Sequence, residues 1–363
     1  MMSRFSGINR KQKGFLVVIV GVAIIACSYF YFYTDTDIAG ANLKKKETSS
    51  LKSVFLPDKG WSAQKLEAAK NYANEMGSSA VIVIHDAKLV AEWGETTKRI
   101  KSHSVRKSLL SALYGIAVGK GLINMSDTME VLGIDDKSPS LTKKEKQARI
   151  SDLIKARSGI YHPAAAEAPE MKKRRPGRGS HPRGSFWYYN NWDFNALGTI
   201  FEQKTGLPIG EAFKKWISDP IGMEDFRAKD VKYEWDSASK HPAYPFWISA
   251  RDLSRFGVLF LQLGIWKGKQ VIPKSWILES VTEHTRFANG GGYGYMWWIL
   301  KSGAYEASGT GYQKIHIDPD RKIVIVNRVD TSGLWWYFGD RVTNKEFKKL
   351  IGLIYEAYPF EEK

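Results

Sequence analysis

The chain has 363 residues, of which 43% are hydrophobic and 25% charged, so a wholly disordered chain is excluded. It has 54 basic and 38 acidic residues, a net charge of +16, and one cysteine, Cys27, which excludes an internal disulfide and any Cys-rich metal site. The basic excess is concentrated in residues 4–13, 44–46 and 172–183 rather than in a stripe interleaved with aromatic side chains. We therefore predict no nucleic-acid partner, because an anionic surface such as lipid headgroups or cell-wall polymer fits this charge better.

The N-terminal residues predict a membrane anchor. Residues 15–33 carry no charge, and a helix of that length would span roughly 28 Å, close to the hydrocarbon thickness of a bilayer. Residues 1–14 form a basic tail that should stay in the cytoplasm, so the rest of the chain is expected to be exported. Residues 34–57 are polar and predict a tether, which leaves 58–363 as the folded domain. The alternative is a cleaved signal segment, because residues 24–27 resemble a lipoprotein cleavage box that would leave Cys27 lipidated.

The exported part has strand-like segments at both ends and helical segments between them. Ser62 is a good N-cap for a helix over 63–76, and residues 80–84 and 88–93 predict a strand pair joined by a turn. Further along the chain, strands are predicted over 293–300, 313–317 and 322–328 and a last helix over 343–357, whereas 105–285 is mostly helical. We therefore predict a mixed α/β fold, an antiparallel sheet flanked by helices, with an inserted, mostly helical subdomain and a cleft between the two.

A Ser-x-x-Lys motif is the first candidate for chemistry. No HExxH pair, Walker loop or GxSxG elbow occurs, which sets aside several other kinds of site. The motif begins at five positions: Ser49, Ser62, Ser104, Ser140 and Ser237. Only Ser104 opens a long apolar helix, over 108–118, that would be buried in the core. Because residues i and i+3 share one face of a helix, Lys107 can reach the hydroxyl of Ser104.

A serine hydroxyl is a poor nucleophile until a base removes its proton. A free lysine, with a pKa near 10.4, is protonated at pH 7 and cannot be that base. Burial and the positive pole at the start of a helix both disfavour the ammonium form, so a buried Lys107 would have the lowered pKa that the chemistry needs. The competing interpretation is an ordinary N-cap serine followed by a surface lysine.

Three further segments accompany Ser104 and Lys107. Residues 154–159 are Ile-Lys-Ala-Arg-Ser-Gly, residues 187–198 contain Tyr-x-Asn ahead of a helix, and residues 307–313 are Ala-Ser-Gly-Thr-Gly-Tyr-Gln ahead of a strand. In order and spacing these motifs resemble the serine β-lactamase and penicillin-binding-protein superfamily. The segments 249–257 and 293–298 are typical of its class C β-lactamase and esterase branch, which includes 6-aminohexanoate-dimer hydrolases. The resemblance runs from about residue 58 to residue 358.

The resemblance implies a role for each matching residue. Ser104 would be the acylated nucleophile, Lys107 its proton acceptor, and Tyr189 a second general base, a phenol that relays a proton to the leaving group. Asn191 would orient Lys107 and the substrate. The resemblance implies no metal and no organic cofactor.

A second register of the Tyr-x-Asn motif stays open. Tyr188 with Asn190 has the same spacing as Tyr189 with Asn191. Counting back from residues 194–198 fits the family spacing better for Tyr189 and Asn191, which we therefore prefer.

The third motif departs from the family pattern. The resemblance implies an oxyanion hole made by the backbone N–H groups of Ser104 and Thr310, beside Ser308 and Gly309 of the motif. The family usually has Lys or His before these two residues, but here the residue is Ala307. The cation that grips the carboxylate of a β-lactam or peptide is therefore missing at this position.

Together these features predict a membrane-anchored, extracytoplasmic serine hydrolase of β-lactamase/transpeptidase-like fold. It would cleave an ester or amide of a small-molecule or cell-wall-derived substrate through an acyl-enzyme on Ser104. The alanine at 307 favours a neutral or amine-bearing substrate, although Arg106 or the basic loop 172–183 could supply the missing charge. The alternatives are a peptidoglycan-related D-peptidase or β-lactamase, and a non-enzymatic acylable sensor or cell-wall binding module. The sequence leaves the oligomeric state open.

Overall fold

The computed structural model describes residues 53–55, 60–288, 290–333 and 343–360, all within one compact unit. The predicted basic tail, the predicted anchor and Cys27 lie outside the described residues. Within the described ranges, no helix is long and apolar enough to cross a bilayer.

Strands at both ends of the folded region form one sheet. In chain order the strands are β1 (Ser53–Phe55), β2 (Ala80–His85), β3 (Lys88–Gly94), β4 (Ile100–Lys101), β5 (Trp247–Ile248), β6 (Ile265–Trp266), β7 (Lys269–Gln270), β8 (Thr285–Arg286), β9 (Gly292–Tyr293), β10 (Trp298–Ile299), β11 (Tyr305–Gly309), β12 (Gln313–Asp318) and β13 (Ile323–Arg328). In the described residues, nine of them form an antiparallel sheet in the order β1-β3-β2-β13-β12-β11-β10-β9-β8. β4 pairs with β5 and β6 with β7 outside this sheet.

Most helices lie between β3 and β8 in the chain. The α-helices are α1 (Ala63–Glu75), α2 (Val105–Gly119), α3 (Ile150–Leu153), α4 (Pro169–Arg174), α5 (Asn191–Thr205), α6 (Ile209–Phe213), α7 (Ala250–Leu261), α8 (Lys274–Ser280) and α9 (Asn344–Glu356). The first begins as predicted, because the side chain of Ser62 accepts a hydrogen bond from the backbone N–H of Lys65. The predicted mixed α/β class, with an antiparallel sheet and a helical middle, is confirmed.

Two local predictions differ from the structure. The single strand predicted over 293–300 is wrong, because β9 and β10 are two short strands joined by a turn. In that turn the N–H of Gly294 donates to the carbonyl of Trp297, and Met296 has a positive φ of 62°. The sheet also begins earlier than residue 58, because β1 lies within the predicted tether and pairs with β3.

The sheet is covered by helices on both faces, which explains the uninterrupted apolar runs in β2 and β13. In β2, Ala80, Ile82 and Ile84 belong to a core shared with α2 and α7, whereas Val81 and Val83 belong to a second core shared with α1 and α9. Alternate residues of a strand point to opposite faces, so an uninterrupted apolar run fits a sheet that is buried on both sides.

Helix α7 packs directly against the sheet through a glycine. A Cβ atom placed on Gly257 would lie 2.5 Å from Cγ1 of Val324 in β13. Any larger side chain would push the helix away from the sheet, so glycine at this position allows the close approach.

The segment that leads to Ser104 is held by a buried arginine. Arg328, at the end of β13, donates hydrogen bonds to the carbonyls of Ile248 (2.5 Å) and Ile100 (2.7 Å), on the paired strands β5 and β4. Its Nε also donates to Oε1 of Gln313 on β12 at 2.7 Å. The guanidinium therefore joins the main sheet to the β4–β5 pair immediately before the start of α2.

Candidate active site

Ser104 and Lys107 lie together at the start of α2. Ser104 directly precedes the helix, and Nζ of Lys107 lies 2.8 Å from Oγ of Ser104, within hydrogen-bond distance. The lysine side chain is only 2% exposed. Its Nζ lies 4.7 Å from the ring centroid of Tyr189 and 5.0 Å from that of Phe194. The alternative of a surface lysine is therefore excluded.

The environment of Lys107 favours its uncharged form. Burial holds the pKa of the ammonium group well below its ordinary value of 10.5, and the neighbouring guanidinium of Arg106 lowers it further. In the described part of the chain, no carboxylate forms an ion pair with Lys107 that would offset these effects. The amine is thus shifted toward the form that can accept a proton.

Tyr189 lies beside Ser104, whereas Tyr188 does not. Burial raises the pKa of Tyr189 to about 12, against the opposing effects of a hydrogen bond with Ser104 and of the Arg106 charge. Its ring stacks on Trp298 of β10, with centroids 5.5 Å apart. The hydroxyl of Tyr188 instead donates to the backbone carbonyl of Met171 at 2.8 Å. The structure therefore places the ring of Tyr189 against Lys107, the partner of the nucleophile, whereas Tyr188 is hydrogen-bonded to Met171.

The two asparagines of the motif have different environments. Asn190 is the N-cap of α5, and its side chain accepts from the N–H of Trp192. Nδ2 of Asn191 donates to the carbonyl of Ala166 at 2.7 Å, and its Oδ1 is buried without a hydrogen-bond partner. In the described residues, Asn191 forms no hydrogen bond with Lys107, so the predicted orienting contact is not present.

The end of β11 lies against the backbone of Ser104. A Cβ atom placed on Gly309 would lie 2.5 Å from the carbonyl oxygen of Ser102 and 3.0 Å from the amide nitrogen of Ser104. Glycine is therefore required where the third motif meets the start of α2. The preceding residues are a partly exposed Ser308 and a fully buried Ala307, whose methyl group packs in the main core.

A cavity of about 270 Å³ lies beside these residues. Its lining includes Ser104, Arg106, Lys107, Glu167, Asn191 and Thr310. Five separate parts of the chain therefore meet here: the start of α2, the loop before α4, the start of α5, the segment before β5 and the residue after β11. The predicted residues Ser104, Lys107, Asn191 and Thr310 share one cavity, which a small substrate can enter.

The buried carboxyl of Asp193 supports this site, although the motifs of the sequence did not point to it. Oγ of Ser158 donates to Oδ1 of Asp193 at 2.5 Å, and Nδ2 of Asn190 donates to the same oxygen at 2.8 Å. Burial raises the pKa of Asp193 well above its ordinary value. These contacts join the 154–159 motif to the first turn of α5. The only signal in the sequence was the serine within that motif.

The histidines near the site do not form a metal centre. In the described ranges, no group of three or more His, Cys, Asp or Glu residues could hold a metal ion. His103 lies next to the nucleophile, but burial lowers its pKa to about 4, and its Nε2 lies 2.8 Å from Oγ1 of Thr331. It is therefore an uncharged, hydrogen-bonded residue near neutral pH.

Comparison with known proteins identifies the family. The family model for β-lactamase matches residues 63–334. This chain belongs to the β-lactamase family. The resemblance inferred from the motifs is confirmed, and with it the assignment to a family of serine hydrolases with this fold. No curated protein sequence matches the chain.

Several solved structures share the β-lactamase-family fold of this chain. One, described as a 6-aminohexanoate-dimer hydrolase from Bacillus anthracis, is 21% identical, with a TM-score of 0.60 over 80% of this chain and 83% of that one. A family VIII carboxylesterase is 13% identical, with a TM-score of 0.61 over 84% of this chain and all of that one (100%). The octameric penicillin-binding protein homologue from Pyrococcus abyssi is 17% identical, with a TM-score of 0.56 over 82% and 79% of the two chains.

Replacing the buried amine should stabilise the protein at neutral pH. An unfolded lysine is protonated at pH 7, whereas native Lys107 resists protonation, so the stability of the wild type should rise with pH toward 10.5. Lys107→Met removes this penalty, and we expect it to raise the free energy of unfolding by about 1 kcal/mol or more. The gain should shrink as the pH approaches 10.5.

Urea unfolding of the wild type and the variant across this pH range measures the effect. The matched control is Lys120→Met, at the exposed end of the same helix, which should show no such pH dependence. A Lys107→Met protein that is equally or less stable than the wild type at every pH would contradict an uncharged Lys107.

Proposed function

We propose that this protein is a serine hydrolase that cleaves an ester or amide bond through an acyl-enzyme on Ser104. The observation that carries the proposal is the buried amine of Lys107, 2.8 Å from the Ser104 hydroxyl and with its pKa lowered by burial. A hydroxyl with an uncharged base at hydrogen-bond distance is the arrangement that nucleophilic catalysis by serine requires.

In the first half of the reaction, Lys107 takes the proton of Ser104 as Oγ attacks the substrate carbonyl. The backbone N–H groups of Ser104 and Thr310 would stabilise the negative oxygen of the tetrahedral intermediate. When the intermediate collapses, the bond to the leaving group breaks, and the leaving group takes up the proton. Water then attacks the acyl-enzyme, which releases the acid product and returns the proton to Ser104.

Tyr189 fits the proton relay to the leaving group. A phenol with a pKa of about 12 stays protonated near neutral pH, so it has a proton to give as the leaving group departs. Its ring centroid lies 4.7 Å from Nζ of Lys107, the base that receives the proton of the nucleophile. Asn191, whose Oδ1 has no protein partner in the cavity, would accept a hydrogen bond from the substrate.

The bond type is proposed from the relatives. One structure of this fold is described as a carboxylesterase and another as a hydrolase of the 6-aminohexanoate dimer. These descriptions support an ester or amide in this chain as well, in a small molecule or a compound derived from the cell wall. A substrate that fits a cavity of about 270 Å³ would have the size of a short acyl or amino-acid derivative.

We also propose that the enzyme works outside the cytoplasm, held at the membrane by residues 15–33. The support is in the sequence: an uncharged run long enough to span a bilayer, preceded by four basic residues and no acidic one.

Removing the nucleophile should abolish hydrolysis. Ser104→Ala is expected to lower kcat/KM for a p-nitrophenyl ester at least about 1000-fold, and Lys107→Ala should have a comparable effect, because the nucleophile and the base that removes its proton act as one unit. The matched control is Ser111→Ala, which removes a buried hydroxyl without a partner from the same helix and should leave the rate unchanged.

Circular dichroism of each variant confirms that it is folded. Rates within a few-fold of the wild type in Ser104→Ala or Lys107→Ala would refute the proposal. A stable acyl adduct on Ser104 with no turnover would instead identify the protein as an acylable sensor.

The two tyrosines should differ in their effect on turnover. Tyr189→Phe removes the phenol beside Ser104 and is expected to lower kcat about 100-fold, the usual size of a lost proton-transfer group. Tyr188→Phe removes only a hydrogen bond to the carbonyl of Met171 and serves as the matched control. Steady-state assays with the same ester measure both rates. The reverse order of effects would assign the relay to Tyr188.

The mature N-terminus of the protein distinguishes an uncleaved membrane anchor from a cleaved signal segment. We expect membrane-extracted protein to keep residues 15–33 intact, because their length fits a bilayer-spanning helix. Mass spectrometry of the mature N-terminus measures this directly. A chain that begins at a diacylated Cys27, or after a cleavage site, would contradict the uncleaved anchor.

A further inference from the structure

Arg106 is a buried cation in the wall of the active-site cavity. It lies two residues after the nucleophile, in a helix whose one other basic residue is Lys107, and it is only 3% exposed. Its Nη2 donates to Oδ1 of Asn195 at 2.7 Å, and the guanidinium lies 4.2 Å from the ring centroid of Tyr244. Its Nη1 is buried and has no hydrogen-bond partner, although the residue lines the cavity.

Other charged groups around the cavity have an oppositely charged neighbour. Lys101 forms an ion pair with Glu234, and Arg175 lies 3.6 Å from Oε2 of Glu167, whose Oε1 is buried without a hydrogen-bond partner. Arg106, by contrast, forms no ion pair with any carboxylate in the part of the chain that the structure describes. A buried charge ordinarily has a counter-charge, because desolvation without one is costly. The cavity therefore has a single uncompensated positive charge, beside the nucleophile.

We propose that Arg106 binds a carboxylate group of the substrate. A guanidinium with an unpartnered N–H group can donate to a carboxylate and also matches it in charge. One negative charge would balance the one unpaired cation, whereas a doubly charged phosphate would leave one negative charge uncompensated in a cavity that also contains Glu167. The inference rests on the proposed function in one respect, that this cavity is where the substrate lies.

This subsite replaces the cation that the third motif lacks. The residue at 307 is a buried alanine on β11, so no positive side chain reaches the site from that position. Arg106 supplies the charge from α2 instead, two residues after the nucleophile. An amine-bearing substrate fits less well, since Glu167, the buried carboxylate in the cavity, already has Arg175 beside it.

Direct binding to the full chain tests the subsite without any need for turnover. In a Ser104→Ala background, hexanoate, hexylamine and hexanol are titrated by calorimetry near neutral pH; the three probes differ only in the group at one end. We expect hexanoate to bind at least about tenfold more tightly than the other two, the gain that a charge-assisted pair in a buried site provides.

Two substitutions at the cation test its role. Arg106→Met keeps the length of the side chain without its charge and should weaken hexanoate binding at least about tenfold, to the level of hexanol. If that variant does not fold, Asn195→Asp gives the guanidinium a counter-charge of its own and should have the same effect. The control Glu167→Gln removes a negative charge from the same cavity and should keep the preference for hexanoate.

Three outcomes would overturn the inference: hexylamine or hexanol binding more tightly than hexanoate, no preference among the probes, or an unchanged hexanoate affinity in Arg106→Met and Asn195→Asp. Because the readout is binding, it separates this inference from the proposed function. Hexanoate binding that depends on Arg106 in a protein without hydrolase activity would leave the subsite in place and refute only the hydrolase.

Discussion

The site depends on keeping one amine away from water. Lys107 can accept a proton only if its charged form is disfavoured, and the structure achieves this by burying the side chain among aromatic rings without a carboxylate partner in the described residues. The same burial raises the pKa of Tyr189, so the two groups are driven in complementary directions, the amine toward losing its proton and the phenol toward keeping it. One physical effect, desolvation, thus gives the two groups different tasks.

The sheet and its helices bring the parts of this site together. Arg328 joins the main sheet to the short strands before α2, which fixes where Ser104 begins the helix. From the other side, β11 approaches the backbone of Ser104 so closely that only glycine fits at position 309. A glycine at position 309 and a buried charge at Arg328 each lower the stability of the fold. Both also fix the geometry around the nucleophile.

Specificity in this member of the family is expected to come from a different element than the third motif. The position that usually provides a cation is occupied by Ala307, which packs in the core, while Arg106 on α2 carries a charge that no carboxylate of the described residues balances. A substrate carboxylate held there would be fixed by the same helix that carries the nucleophile. Any movement of α2 would therefore shift the binding group and the reacting group together.

The sequence alone determined the features that depend on residues close together in the chain. The spacing of Ser104 and Lys107 predicts that they meet, because i and i+3 share a helix face, and the predicted α/β class follows from local hydrophobic patterns. Only the tertiary structure showed that the strand predicted over 293–300 turns back as β9 and β10 and that Arg106 has no counter-charge among the described residues, and it placed the preferred Tyr189, rather than Tyr188, against Lys107. Each of these depends on contacts between residues far apart in the chain, and local spacing contains no information about such contacts.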